Sequence, residues 1–141
     1  MDNAQTMITV QVTVNAPIEK VWNIWATPSD IMQWNNPSDQ WHCPKVENDL
    51  QKGGSFLFRM ETKNGSDGFD HAGVYDEVIN HELIEYTGTD GRRSIIRFVP
   101  DNNKTLIIEE FEPGKEPSLE IQKDFCQSVL NNFKRYAEAQ E

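Results

Sequence analysis

The sequence contains few cysteines and few histidines, which limits both its compartment and its chemistry. Cys43 and Cys126 are its only cysteines, and three histidines are spread along the 141 residues. Two thiols do not suggest the disulfide framework of a small secreted protein, so we expect a reducing compartment. His42 stands beside Cys43, but the other histidines lie far away in sequence and no metal-ligand spacing results. The sequence therefore predicts neither a metal site nor a cofactor.

Basic residues are scarce as well. Lys and Arg together number 13 against 23 Asp and Glu, which gives a net charge of −10 at pH 7. A charge of this sign repels phosphate backbones and anionic lipid head groups. The adjacent pairs Arg92-Arg93 and Lys134-Arg135 are too small to form a local basic patch. We therefore expect neither a nucleic-acid partner nor a membrane partner.

Long apolar runs are missing too. No run approaches the roughly 18 residues that a membrane-spanning helix needs, and the N-terminus does not show the charged-then-apolar pattern of a signal peptide. These features predict a cytoplasmic protein. The length suits one domain covering residues 1–141, long enough to bury about 70% of its unfolded surface. Repeats, low-complexity segments and domain linkers are not evident.

What the sequence does contain is an amphipathic hairpin in residues 53–75. Residues 64–68 between its strands hold the Asn and Gly that tight turns favour. The residues that would share one face of the hairpin are mostly aromatic: Phe56, Phe58, Met60, Phe69, His71, Gly73 and Tyr75. This face is either a packed core or the wall of an apolar pocket.

The rest of the chain predicts further strands and three helices. Alternating residues predict strands at 7–14, 46–50, 82–88, 94–99 and 104–112, whereas 38–44 is expected to be irregular. Pro17 starts one helix, Thr27 is predicted to cap a second, and Ser118 a long third. Five residues give the third helix an apolar stripe: Ile121, Phe125, Val129, Phe133 and Tyr136.

This order predicts an α+β fold, in which helices cover one face of an antiparallel sheet. The short connections from residue 46 onward favour pairing between sequence neighbours. The first strand then pairs most simply with the last strand. About 20 residues of amphipathic C-terminal helix need a large apolar surface, and the sheet supplies it.

Several short segments resemble a known family. Val14-Asn15-Ala16-Pro17 followed by Val21-Trp22 resembles the entry to the first helix of the SRPBCC superfamily, also called START-like or helix-grip. More particular segments are Trp34, Trp41-His42, Asn48-Asp49-Leu50, Gly53-Gly54, Arg59-Met60-Glu61, Gly65-Ser66, Gly68-Phe69-Asp70, Gly73-Val74-Tyr75, Asp90-Gly91-Arg92 and Asn131-Asn132-Phe133. In this order and spacing they resemble the bacterial homologues of activators of the ninety-kilodalton heat-shock protein ATPase. The resemblance extends from about Ile8 to Tyr136.

The resemblance implies a helix-grip fold, in which a curved sheet wraps around the C-terminal helix and a hydrophobic cavity lies between them. It also implies binding of apolar small molecules, such as lipids or polyketide-like aromatics. Two positions depart from the family pattern. Phe125-Cys126 stands where Gly-Trp is frequent, and His71 stands where an aromatic residue is common.

The candidate ligand-binding residues follow from this cavity. They are Trp34, Trp41, His42, Phe56, Phe58, Met60, Phe69, His71, Tyr75, Tyr86, Phe98, Glu109, Phe111, Phe125, Val129 and Phe133. For the aromatic members the alternative is ordinary core packing, which stabilises a fold by about 1.5–3 kcal/mol per buried ring. Trp41 and His42 are expected in a loop over the open end of the sheet, where Trp41 either plugs the core or borders the cavity entrance.

Glu109 and His71 are the polar members of inward-facing parities. A buried Glu109 needs a partner, either a neighbouring Tyr or Arg or a ligand, or it shifts its pKa and acts as an acid or base. His71 either makes a structural hydrogen bond or binds a ligand. The two residues together offer an acid–base pair, if they touch.

Three functions are consistent with these features. The first is binding of a small hydrophobic molecule, since the chain carries no catalytic motif. The second is a small enzyme of the cyclase or hydrolase type that uses His71 and Glu109. The third is interaction with a protein partner such as a chaperone, which requires a large exposed apolar patch.

Overall fold

The structure, a computed structural model, describes residues 7–140 and contains seven strands and three helices in that range. The strands are β1 Ile8–Val14, β2 Trp41–Asn48, β3 Ser55–Thr62, β4 Gly68–Ile79, β5 Leu83–Gly88, β6 Arg93–Asp101 and β7 Lys104–Phe111. The helices are α1 Ile18–Ala26, α2 Pro28–Trp34 and α3 Leu119–Ala139. Within this range, none of the helices combines the length and the apolar character needed to cross a bilayer. Residence in the cytoplasm stays a prediction.

The strands form one antiparallel sheet in the order β1-β7-β6-β5-β4-β3-β2. β2 to β7 follow one another as a meander, and β1 closes onto β7 with Ile8 opposite Phe111 and Val14 opposite Thr105. The sheet curls around α3, and α1 and α2 follow the first strand. The predicted α+β helix-grip architecture and the pairing of the first strand with the last are therefore confirmed.

One strand is longer than predicted. β2 begins at Trp41 rather than at residue 46, so the expected irregular segment at 38–44 is partly wrong. The strand includes Pro44, which has no N–H to donate to a sheet ladder. β2 is an edge strand, and its register with β3 shifts between His42 and Lys45, which accommodates the proline.

The two predicted helix caps differ in outcome. The Ser118 hydroxyl accepts a hydrogen bond from the Ile121 N–H at 3.3 Å, as predicted for the start of α3. Thr27 does not cap α2 with its side chain. Its hydroxyl instead donates to the Asn23 carbonyl oxygen at 2.6 Å, because Thr27 also ends α1, where the same carbonyl accepts the Thr27 backbone N–H at 3.1 Å.

The core lies under the two short helices and the second half of α3. Trp22, Trp25, Trp34, Phe98 and Phe133 pack there mostly edge to face, with ring centroids about 5 Å apart. Phe133 is fully buried. Side chains fill most of this end of the sheet, so the larger space for a ligand lies toward the other end of α3.

The first turns of α3 stand away from the sheet. Ile121, which belongs to the predicted apolar stripe, is 56% exposed, whereas Gln122 is 9% exposed. Burial of Ile121 against the sheet was therefore wrongly predicted. The polar Gln122 takes the inward position because its amide group is held by backbone of the preceding loop, as described below.

Candidate ligand-binding site

A cavity of about 350 Å³ lies between the sheet and the N-terminal half of α3. Its apolar wall consists of Met60, Phe69, Phe111, Phe125 and Val129, which come from strands β3, β4 and β7 and from α3. This volume lies at the lower end of the range of about 300–1,000 Å³ that small-molecule sites occupy. Phe69 and Ile121 are largely exposed at its mouth.

The loop that joins β7 to α3, residues 112–118, forms one border of the cavity, and we call it the strap. Glu116 and Pro117 of the strap line the cavity. The Gln122 side chain accepts a hydrogen bond from the Gly114 N–H at 2.9 Å and donates to the carbonyl oxygens of Gly114 and Pro117 at 3.0 and 2.7 Å. These three bonds tie the strap to α3 and explain why Gln122 is buried.

A second pocket of about 70 Å³ lies on the core side of the main cavity. It is bordered by core aromatics, among them Trp25, Trp34, Phe56 and Tyr75. Five residues line both spaces and so stand between them: Asn35, His71, Tyr86, Glu109 and Val129. The boundary between the two pockets is therefore polar, although most of their surroundings are apolar.

His71 is one of these boundary residues. Its Nε2 atom lies 3.1 Å from the Tyr86 hydroxyl oxygen, a hydrogen bond between β4 and β5. The centroid of its ring lies 5.2 Å from that of the Phe56 ring. Burial lowers the pKa of His71 to about 4, aided by the charge of Arg92 and opposed by that of Asp90. His71 is therefore neutral at pH 7.

Glu109 is the other ionisable boundary residue. It sits in the middle of β7, opposite Val10 of β1 and Ile96 of β6. Among the described residues, none forms a hydrogen bond or an ion pair with its carboxyl group, and the side chain is half-buried, so its oxygens are accessible from the cavity. Burial alone raises the pKa of Glu109 to about 7. The expected Tyr or Arg partner is thus not found there, and the acid faces the cavities without one.

His71 and Glu109 line the same cavity but are not joined by a hydrogen bond. The hydrogen-bond partner of His71 is Tyr86, whose pKa is raised by burial and by the nearby charge of Glu109. The acid–base pair considered from the sequence is therefore not preformed. Each of the two groups faces the cavity separately.

The predicted site residues fall into three groups. Eight line the main cavity: Met60, Phe69, His71, Tyr86, Glu109, Phe111, Phe125 and Val129. Four others line the smaller pocket: Trp34, Phe56, Phe58 and Tyr75. The remaining four line neither space: Trp41, His42, Phe98 and Phe133.

Trp41 and His42 lie on strand β2, not in a loop, so their predicted placement is wrong. The Trp41 ring packs edge to face against the rings of Phe125 and Phe69, with centroid separations of 5.6 and 6.1 Å. It therefore supports two cavity-wall rings from outside. The His42 Nε2 atom lies 3.2 Å from a carboxylate oxygen of Glu61. Phe98 packs against Trp22 and Trp25, because α1 covers the part of β6 on which Phe98 lies.

Sequence patterns missed several lining residues. Ser94 is buried on the predicted inward parity of β6, and its small side chain leaves space beside Tyr86 and Phe111. Arg92 follows the β5–β6 turn at Gly91, which has a φ of 89°. The Arg92 Nε atom donates to Asp90 at 2.7 Å, and both residues line the cavity mouth. Only the Asp90-Gly91 turn signal could have placed them together.

Comparison with known proteins identifies the family. The model of the family described as Activator of Hsp90 ATPase homolog 1-like protein matches residues 15–138. The chain belongs to this family. The resemblance found from the sequence is confirmed, and the architecture is that of the SRPBCC helix-grip superfamily. None of the curated proteins matches the chain at a significant level.

Solved structures agree with this assignment to the AHSA1-like family. Chr148 from Cytophaga hutchinsonii is 47% identical, with a TM-score of 0.81, over 94% of this chain and 92% of that chain. An AHSA1-like protein from Aeromonas hydrophila is 32% identical, with a TM-score of 0.83, over 93% and 92% of the two chains. Protein NE0264 from Nitrosomonas europaea, at 15% identity and a TM-score of 0.83 over 100% and 99%, shares the fold.

Proposed function

We propose that this AHSA1-like protein binds a small, mainly apolar molecule in the main cavity. The observation that carries the proposal is the 350 Å³ space between the sheet and α3, walled by aromatic side chains. Protein interiors are close-packed, and voids larger than a water molecule are few. An apolar cavity of about 150 Å³ is already large enough to bind benzene.

The size and wall of the cavity support a compact ligand. A space of 350 Å³ is more than twice the cavity of about 150 Å³ that binds benzene, which suits a molecule of two or three rings or one short chain rather than a diacyl lipid. The rings of Phe69, Phe111 and Phe125 favour flat, aromatic or polyketide-like molecules that stack or pack edge to face.

Filling the cavity should abolish binding while the fold is kept. In Val129→Trp a large ring enters the boundary between the two pockets, and we expect the affinity for the neutral fluorophore N-phenylnaphthylamine to fall about tenfold or more. Overpacking lowers the free energy of unfolding by about 1–3 kcal/mol. Fluorescence titration measures the first effect, and urea denaturation measures the second.

Val99→Trp is the matched control, because Val99 is 43% exposed and lines neither pocket. It should bind the fluorophore like the wild type. Equal binding by Val129→Trp and wild type would place the fluorophore elsewhere on the protein. Failure of the wild type to bind this fluorophore or any panel of neutral aromatics would argue against the proposed function itself.

A second candidate function, chemistry on the bound molecule, is favoured by the pKa of Glu109. A value of about 7 suits a general acid or base at neutral pH. If a substrate is found by screening neutral aromatic esters and ketones, Glu109→Gln should lower kcat by about 100-fold or more. An unchanged kcat in Glu109→Gln would exclude this mechanism. Chaperone binding stays a prediction from the family description.

A further inference from the structure

We propose that the ligand of the main cavity carries a protonated amine, which pairs with the Glu109 carboxylate while its aromatic or aliphatic body contacts the cavity wall. This inference rests on the proposed function and names the chemical class of the molecule that is bound. It is carried by the geometry of one unpartnered acid and by the charges that surround the cavity.

Among the described residues, no side chain pairs with Glu109, whose half-buried carboxyl group opens onto the cavity. It stands between Val10 and Ile96 in the interior strand β7, and its side chain turns to the concave face of the sheet. None of the described residues donates a hydrogen bond to its carboxyl group. An ionised carboxylate in such surroundings is costly unless it is paired. A donor, above all a cationic donor, is the group that this position lacks.

The other ionisable groups at the cavity favour a cation over an anion. Asp70 and His71 come from β4, Tyr86 from β5, Asp90 and Arg92 from the β5–β6 turn, Glu116 from the strap and Cys126 from α3. His71 is neutral at pH 7 because burial lowers its pKa to about 4. Burial raises the pKa of Tyr86 and that of Cys126, so both are neutral as well.

Four carboxyl groups line the cavity, and two of them already have a basic partner: Asp70 pairs with Arg59 at 3.4 Å and Asp90 with Arg92. Among the described residues that line the cavity, Arg92 is the one positively charged side chain, and its Nε atom already donates to Asp90 at 2.7 Å. An anionic ligand would meet Glu109 and Glu116, for which no ion pair is found among the described residues. A cationic ligand is attracted first by the net charge of −10 and then by the mouth of the cavity.

Aromatic rings beside Glu109 provide the second part of the recognition. Phe111 lies two residues along the same face of β7, and Phe125 and Tyr86 line the same space. Ring faces attract an ammonium group, and they attract it more strongly once water is excluded. A monoamine with an aromatic body thus satisfies both the acid and the apolar wall. Neutral alcohols could also donate a hydrogen bond to Glu109, so the test must separate the two.

The test compares three naphthalene probes of nearly equal size by isothermal titration calorimetry at pH 8. Naphthylethylamine should bind about tenfold or more tightly than naphthylethanol, because hydrogen bonds to charged groups are the stronger ones. Naphthylacetate should bind most weakly. Glu109→Gln should reduce amine binding to the level of the alcohol and leave the alcohol itself nearly unaffected.

Glu110→Gln is the matched control. Glu110 follows Glu109 in β7 but points to the opposite face of the sheet, where it lies 3.8 Å from Arg97. This variant loses the same charge and should keep the preference for the amine. A second readout is proton release at pH 6, measured in buffers of different ionisation enthalpy. Wild type and Glu110→Gln should release about one proton per bound amine, because pairing ionises Glu109, and Glu109→Gln should release none.

The outcomes separate the two proposals. If the amine and the alcohol bind equally to the wild type, and Val129→Trp weakens both, the cavity binds ligands but the amine inference is overturned. An amine preference that survives in Glu109→Gln also overturns it, since the attraction would then come from the mouth alone. If none of the three probes binds but N-phenylnaphthylamine does, the inference fails and the proposed function stands. If the fluorophore does not bind either, both fail.

Discussion

Replacing Phe133 with alanine should lower the free energy of unfolding by about 3–5 kcal/mol, the usual cost of deleting a fully buried phenyl ring. Phe133 is 0% exposed and packs edge to face on Trp34 at 4.8 Å and on Trp25 at 5.1 Å. Denaturation in urea followed by circular dichroism measures the change. Where the variant is folded, its affinity for N-phenylnaphthylamine should be close to that of the wild type, because Phe133 lines neither pocket.

Phe125→Ala is the informative counterpart, because the two residues lie on the same stripe of α3. Phe125 is half-buried and lines the main cavity. We expect a loss of only about 1 kcal/mol of stability but a clear loss of affinity for the fluorophore. If Phe125→Ala were as destabilising as Phe133→Ala, the first turns of α3 would be packed like the rest of the helix and the cavity would not persist in solution. Phe133→Leu provides a milder variant should Phe133→Ala not fold.

This pair also shows where sequence reasoning about the site stops. The helical period places Phe125 and Phe133 on one face, and the alternation of β6 and β7 places Phe98 and Phe111 on one face of the sheet. Period alone does not say which end of that interface is filled. The answer depends on Trp25 and Trp34, which α1 and α2 deliver against one half of α3 only. That is a tertiary property, so core and cavity wall could not be separated beforehand.

The fold could be predicted from the sequence more fully than the site, because short turns and clear alternation restrict the topology to few choices. The pairing of β1 with β7 followed from excluding its other partners. The error at β2 has a local cause, since Pro44 suggests a break and only the position of the strand at the sheet edge makes it acceptable. The inward parity of Glu109 was visible in the sequence, whereas the absence of a partner within the described residues required distances.

The pH dependence of stability offers the strongest test of this unpartnered acid. The pKa of Glu109 is raised from 4.5 to about 7 in the folded protein. Between these values the folded state holds a proton that the unfolded state has released, so stability falls as pH rises. Glu109→Gln removes this penalty. At pH 8 it should be more stable than the wild type by about 2–4 kcal/mol, and the gain should nearly vanish at pH 4.

His71 should give the mirror image of this curve. Its pKa is lowered from 6.5 to about 4, so between these values the unfolded state holds the extra proton and stability falls as pH decreases. His71→Phe removes that penalty at acid pH, apart from a constant loss of the hydrogen bond to Tyr86. Relative to wild type, His71→Phe should thus gain stability toward low pH and Glu109→Gln toward high pH.

Urea denaturation of the wild type, Glu109→Gln and His71→Phe from pH 4 to pH 8 measures both curves. When the free energy of unfolding of the wild type is subtracted from that of each variant, the contributions of titratable groups that all three proteins share cancel. Among these are Glu61 and Glu138, whose pKa values are lowered by ion pairs with Arg59 and Lys134. A flat difference for Glu109→Gln would mean that water or a neighbouring group solvates the carboxylate. Glu109 would then have no unmet need for a cation, and the amine site would lose its physical basis. A rising difference would show that ionisation of Glu109 destabilises the folded protein, and pairing with an ammonium group would then offset this cost.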